Sequence, residues 1–131
     1  MTEGRPLFLS IDAVLALHRD GIERFGGDSS LRDRGLLESA LAAPENAFLY
    51  AAADLYLIAA HYAIHIAENQ PFVDGNKRAA LSAALDFLGL NGITLLDPGQ
   101  QLYDAMIAIS AKRLGREDLA ELLRSLAASS R

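Results

Sequence analysis

The sequence predicts an all-α protein, a compact bundle of about six helices with at most one short β pairing. Alanine recurs along the whole chain while strand-forming residues are sparse and tryptophan is absent. Apolar residues return at helical spacing in several long segments. Those segments are separated by glycine and proline signals at Gly26-Gly27, Pro44, Pro71, Gly75, Asn91-Gly92, Pro98 and Gly115. With 131 residues, 51% of them hydrophobic, the chain suffices for one core, so a single domain is expected over residues 1–131.

Taken in order, Ser10 is placed to cap a helix over 11–25, with Ile11, Val14, His18, Ile22 and Phe25 on one stripe. Gly26-Gly27 closes it, because glycine accepts the left-handed geometry of a helix end. "LRDRGLLESALAA" (31–43) predicts a shorter helix that stops before Pro44. "PENAFLYAAAD" (44–54) shows no clear period and reads as a connection. "DLYLIAAHYAIHIAE" (54–68) is apolar around most of its circumference, which predicts a buried central helix. "NKRAALSAALDFLGL" (76–90) predicts a second near-buried helix, ended by Asn91-Gly92. "ITLL" (93–96) reads as a short strand paired with "LFLS" (7–10). Asp97-Pro98 is a helix start signal for "GQQLYDAMIAISAKRL" (99–114). After Gly115, "REDLAELLRSLAA" (116–128) makes the last helix. Its acidic Glu117, Asp118 and Glu121 lie toward the start, where the helix dipole favours negative charge.

Composition narrows the function classes. The chain has no cysteine, so neither a disulfide framework nor thiolate chemistry is open to it, and a reducing cytoplasm suits it. Net charge is −5 and no Lys/Arg run exceeds two residues, which argues against direct nucleic-acid binding. No apolar run reaches the roughly 18 residues of a membrane span. "MTEGRPLFLS" lacks the basic start and apolar stretch of a signal peptide.

The chemistry concentrates in "NQPFVDGNKRAA", residues 69–80. Gly75 permits a tight bend into the helix that begins near Asn76, and the first amides of a helix lack partners within it. Those amides and the positive end of the helix dipole attract phosphate oxygens. Lys77 and Arg78 add a mobile point charge and a planar fork beside them. Asp74 is placed to hold a Mg²⁺ that bridges phosphates. The competing reading of the turn is a plain cap by Asp74 or Asn76, with both cations solvated. The GxxxxGK[ST] spacing of a Walker loop is absent.

The turn resembles the core motif of the Fic/Doc superfamily, H-x-F-x-[DE]-[GA]-N-[GK]-R, and in particular its Doc (death-on-curing) branch. Phe72, Asp74, Gly75, Asn76, Lys77 and Arg78 match. AMP-transferring members usually carry glycine where Lys77 stands, whereas the Doc branch carries lysine. "LHRDGIERFGGDSSLRDRGLLESAL" and "FLGLNGITL" resemble the flanking segments of that branch. The resemblance implies a six-helix toxin that transfers the terminal phosphoryl group of ATP to a threonine of elongation factor Tu. Asp74 would hold Mg²⁺, Gly75 and Asn76 would form the anion nest, and Lys77 and Arg78 would grip the phosphates. Some members restrain themselves through an [ST]-x-x-x-E-[GN] helix, a pattern absent here. Restraint would then come from an antitoxin segment that folds as a helix into an apolar groove beside the site.

Gln70 departs from the motif, for the family's histidine belongs at this position and takes the proton of the attacking hydroxyl. A glutamine amide orients a hydroxyl but cannot act as a base near neutral pH. Reduced activity, or a catalytically dead module that binds nucleotide or antitoxin, is the consequence; an AMP transferase is a third reading, opposed by Lys77. Ala79 also departs, where threonine is frequent. His61 and His65, four apart, read as largely buried histidines rather than a metal pair, since neither HExxH nor a third ligand accompanies them. His18 reads as a core or pocket-wall residue. Phe48 and Tyr50 either flank a target-docking flap or belong to a plain packed loop.

Overall fold

A computed structural model describes residues 5–96 and 99–127. Ser10 is extended, and its side chain accepts a hydrogen bond from Ala13 N–H, so α1 (Ile11–Phe25) begins where the sequence places it. Asp33 and Asp54 do the same for α2 (Arg34–Ala51) and α3 (Leu55–Asn69), accepting from Leu36 and Leu57. The remaining helices are α4 (Asn76–Leu90), α5 (Gly99–Ser110) and α6 (Arg116–Leu126). The fold is all-α, and its β character among the described residues is two isolated bridges, Leu31 with Phe72 and Leu95 with Ala127. The start signal Asp97-Pro98 lies outside the described residues.

Two helices form the centre. α3 buries Ile58, Tyr62 and Ile66, and α4 buries Ala80, Ala83, Ala84, Phe87 and Leu88. Small alanines on α4 let the two backbones approach, while α2, α6, α1 and α5 cover the outside of the pair. Tyr62 reaches the N-terminal segment, where its hydroxyl accepts a 2.9 Å bond from Leu9 N–H. Burial pushes its phenol up to about 12.

Three local expectations are corrected. α2 does not stop before Pro44 but runs through it to Ala51. An interior proline ordinarily costs about 3 kcal/mol. Here Leu37, Ala40 and Pro44 are all buried on one stripe, and Phe48 continues it against Phe8. Apolar burial along that stripe offsets the lost backbone bond. Phe48 and Tyr50 are therefore helical rather than in a loop or flap, and Tyr50 is exposed. Second, 93–96 does not pair with 7–10. Leu96 N–H bonds Leu126 O at 2.7 Å, whereas Leu7 is held at both backbone groups by the Asn91 side chain. Third, α5 ends at Ser110, and Lys112 takes a left-handed backbone in the turn that follows.

Candidate active site

Gln70 and Gly75 bracket the turn between the two central helices, and both are left-handed, at φ 48° and φ 78°. Between them the chain cannot be helical, and its backbone groups need other partners. The α1–α2 loop supplies them. Arg32 and Asp33 donate N–H to Pro71 O at 2.7 and 3.0 Å, and Val73 N–H reaches Ser30 O at 3.0 Å. Arg32 also extends its guanidinium to the C-terminus of α3, with Nε to Gln70 O at 2.8 Å and Nη2 to Asn69 O at 2.9 Å. A cation here satisfies carbonyls that have no helical partner and complements the negative helix end.

The inner side of the turn is fixed by side chains. Asn76 Oδ1 accepts from Phe72 N–H at 3.0 Å while its Nδ2 donates to Phe72 O at 2.9 Å. Phe72 is buried and stacks on His18 with ring centroids 3.6 Å apart, and His18 Nε2 donates to Asp74 O at 2.7 Å. A Cβ on Gly75 would stand 3.2 Å from Ile22 Cδ1, so α1 leaves no slack behind the bend.

What remains faces a cavity of about 320 Å³ lined by Gln70, Asp74, Gly75, Asn76, Lys77 and Arg78, together with Ala67, Val73, Tyr103 and Ser110. Every site residue expected from the sequence is therefore at one opening. Asn76 points its amide inward to the turn, so only its backbone is free to face an anion. α4 starts without a side-chain cap, unlike α1, α2 and α3. Neither Lys77 nor Arg78 makes an ion pair among the described residues. Uncapped amides, the dipole and two uncompensated cations make this opening attractive to a multiply charged anion. Asp74 neither caps α4 nor neutralises the cations. Its Oδ2 accepts from Asp28 N–H at 2.9 Å, which orients the carboxylate.

No histidine lines the opening. His18 lies behind the turn. His61 and His65 stack on α3 with centroids 5.4 Å apart and are half-buried rather than largely buried. Burial holds both below the ordinary histidine value, and Arg116 lowers both further. Among the described residues no three His, Cys, Asp or Glu groups converge as a metal site. Sequence reasoning missed Arg32, Asp28, Tyr103 and Ser110. The first two sit in the stretch that resembled the family's flanking segment, but only the fold shows them bracing the turn.

The family model described as "Fic/DOC family" matches residues 8–88. "Protein kinase doc" of Escherichia phage P1 is 31% identical over 119 residues, covering 90% of this chain and 94% of the relative. "Toxin Doc" of Mycolicibacterium smegmatis is 45% identical over 74 residues, which span 54% of this chain and 56% of that protein.

Proposed function

We propose that this chain, which belongs to the Fic/DOC family, is a Doc-type toxin that takes ATP with Mg²⁺ and transfers the terminal phosphoryl group to a protein hydroxyl. The target implied by the resemblance is a threonine of elongation factor Tu. The observation that carries the reading is the meeting of uncapped α4 amides, Lys77, Arg78, Asp74 and Gln70 around one cavity.

The donor set fits Mg²⁺. One oriented carboxylate, Asp74, would hold the ion with phosphate oxygens and water completing its shell, as this cation prefers. When bound, Mg²⁺ would offset the negative charge of the phosphates. The chain supplies the rest. The backbone at Gly75 and Asn76 would cradle one phosphate, and Lys77 and Arg78 would hold the others. Phosphoryl transfer depends mainly on such positioning and charge stabilisation. Gln70 can orient the acceptor hydroxyl but cannot take its proton, a loss of ~10²–10⁴ in rate. Activity is therefore weakened rather than necessarily abolished.

The partner in this reading is an antitoxin segment that folds as a helix into an apolar groove beside the site. The exposed Val73 and Tyr103, which line the opening, support it. No described helix is long and apolar enough to cross a membrane.

The same absence of a histidine from the opening favours a second reading, a binding module that keeps the nucleotide grip without the chemistry. Both readings require nucleotide binding. ATP with Mg²⁺ at a hundredfold excess over Kd should stabilise the fold by roughly 2.7 kcal/mol. Asp74→Ala should weaken the Mg²⁺ dependence and Arg78→Ala the binding of ATP itself. Melting unchanged by saturating ATP and Mg²⁺ would refute the phosphate site.

A further inference from the structure

The geometry points to α1 as a rest that pre-positions Arg78, with Gly21 and Phe25 as its two contact points. This inference depends on the phosphate-site reading above and adds two positioning residues to it. Gly21 and Phe25 are four apart on α1 and so share one face of the helix. The Arg78 stem crosses the first of them: a Cβ on Gly21 would lie 3.3 Å from Arg78 Cδ and 3.8 Å from Cγ. The guanidinium then reaches the second, with Cζ 4.3 Å from the centroid of the Phe25 ring. Phe25 is 66% exposed, so the core does not account for an aromatic at this position.

Arg78 thus lies between α1 and the cavity it lines. A guanidinium is attracted to an aromatic face through its charge while its N–H groups project from the edge of its plane. The ring therefore leaves the donor fork available. With no carboxylate paired to Arg78 among the described residues, the ring restricts the side chain without neutralising it. An arginine held before the ligand arrives loses less rotamer freedom on gripping a phosphate. Phe25 acts through Arg78 and needs no contact with the reacting atoms.

The test combines a structural readout that needs no nucleotide with a binding cycle. Proton NMR of the Arg78 side chain should show ring-current upfield shifts in wild type that persist in Phe25→Tyr and vanish in Phe25→Leu. Titration calorimetry with ATP and Mg²⁺ should show Phe25→Leu weakening binding about two- to fivefold, the range of an exposed cation–π contact. Phe25→Tyr should restore it. In an Arg78→Ala background Phe25→Leu should change nothing, and in the wild-type background it should lower the melting temperature by only the few degrees such an exposed contact is worth. An unshifted Arg78 in wild type overturns the rest. Shifts that disappear without any change in ATP affinity, or equal loss with and without Arg78, overturn the positioning role. Failure of wild type to bind ATP, with the ring-current shifts intact, refutes the phosphate site and with it the purpose of the rest, while leaving the packing in place.

Discussion

Replacing Asn76 tests whether its side chain closes the motif turn rather than contacting a ligand. Asn76 accepts from Phe72 N–H and donates to Phe72 O, two bonds of 3.0 and 2.9 Å in a partly buried setting. Each such bond contributes about 0.5–1.5 kcal/mol, so Asn76→Ala should cost about 1–3 kcal/mol. For a chain of this size that lowers the melting temperature by roughly 4–12 °C. Asn76→Asp sharpens the test because it preserves shape. It keeps the acceptor toward Phe72 N–H but sets a carboxylate oxygen against the Phe72 carbonyl, where two acceptors repel. At neutral pH the Asp variant should therefore be at least as damaged as the Ala variant. The introduced acid gains a donor on protonation and the facing carbonyl raises its folded-state proton affinity, so its deficit relative to Asn76→Ala should shrink as pH falls from neutral toward the ordinary carboxylate value. Urea unfolding of the three proteins at pH 7 and pH 4.5 reads both effects. An Asp variant as stable as wild type at pH 7 would refute the closed ring.

Two further outcomes follow from the same framework. Arg32→Ala removes both guanidinium bonds to the carbonyls of Asn69 and Gln70; it should cost about 1–2 kcal/mol in denaturant unfolding, and it should impair protein-acceptor turnover more than ATP binding measured by calorimetry. Burial lowers the folded-state affinity of His61 and His65 for protons, so the unfolded chain binds protons first. Stability should be full above the ordinary histidine value of 6.5 and should fall as pH drops below it. Urea midpoints between pH 8 and 5.5 check this, and a His61→Asn/His65→Asn double variant should flatten the decline.

Helix starts were legible where local chemistry was read: Ser10 announces α1 and Gly75 marks the bend before α4, whereas α2 begins at Arg34 behind the cap Asp33 rather than at residue 31. The motif residues were legible because they are contiguous, and a turn keeps neighbours in sequence near each other in space. What failed was long-range. Proline at 44 reads locally as a stop, and only the burial of Leu37, Ala40 and Pro44 against the rest of the core shows why α2 continues. "ITLL" carries strand propensity, but nothing local in those residues says whether Leu95 meets residue 9 or residue 127. The supports of the turn were hidden for the same reason. Arg32 lies 38 positions from Gln70 and Asp28 lies 46 from Asp74, separations at which spacing carries no signal. His18 was placed as a pocket-wall or core residue from its stripe, and it is buried against Phe72.

Whether this opening is a phosphotransfer site weakened by Gln70 is decided by transfer of ³²P from γ-labelled ATP to elongation factor Tu. Wild type, Gln70→His and Gln70→His/Arg78→Ala are compared at saturating Mg²⁺ and matched ATP occupancy. Weak labelling by wild type is expected, with a rise of up to ~10²–10⁴ in Gln70→His as a base returns to the opening and loss of that gain without Arg78. ATP affinity should differ little between wild type and Gln70→His, because residue 70 serves the hydroxyl and not the phosphates. Vigorous wild-type transfer with no gain from histidine, or a histidine variant that binds ATP and labels neither this factor nor any other cytosolic protein, would contradict that assignment.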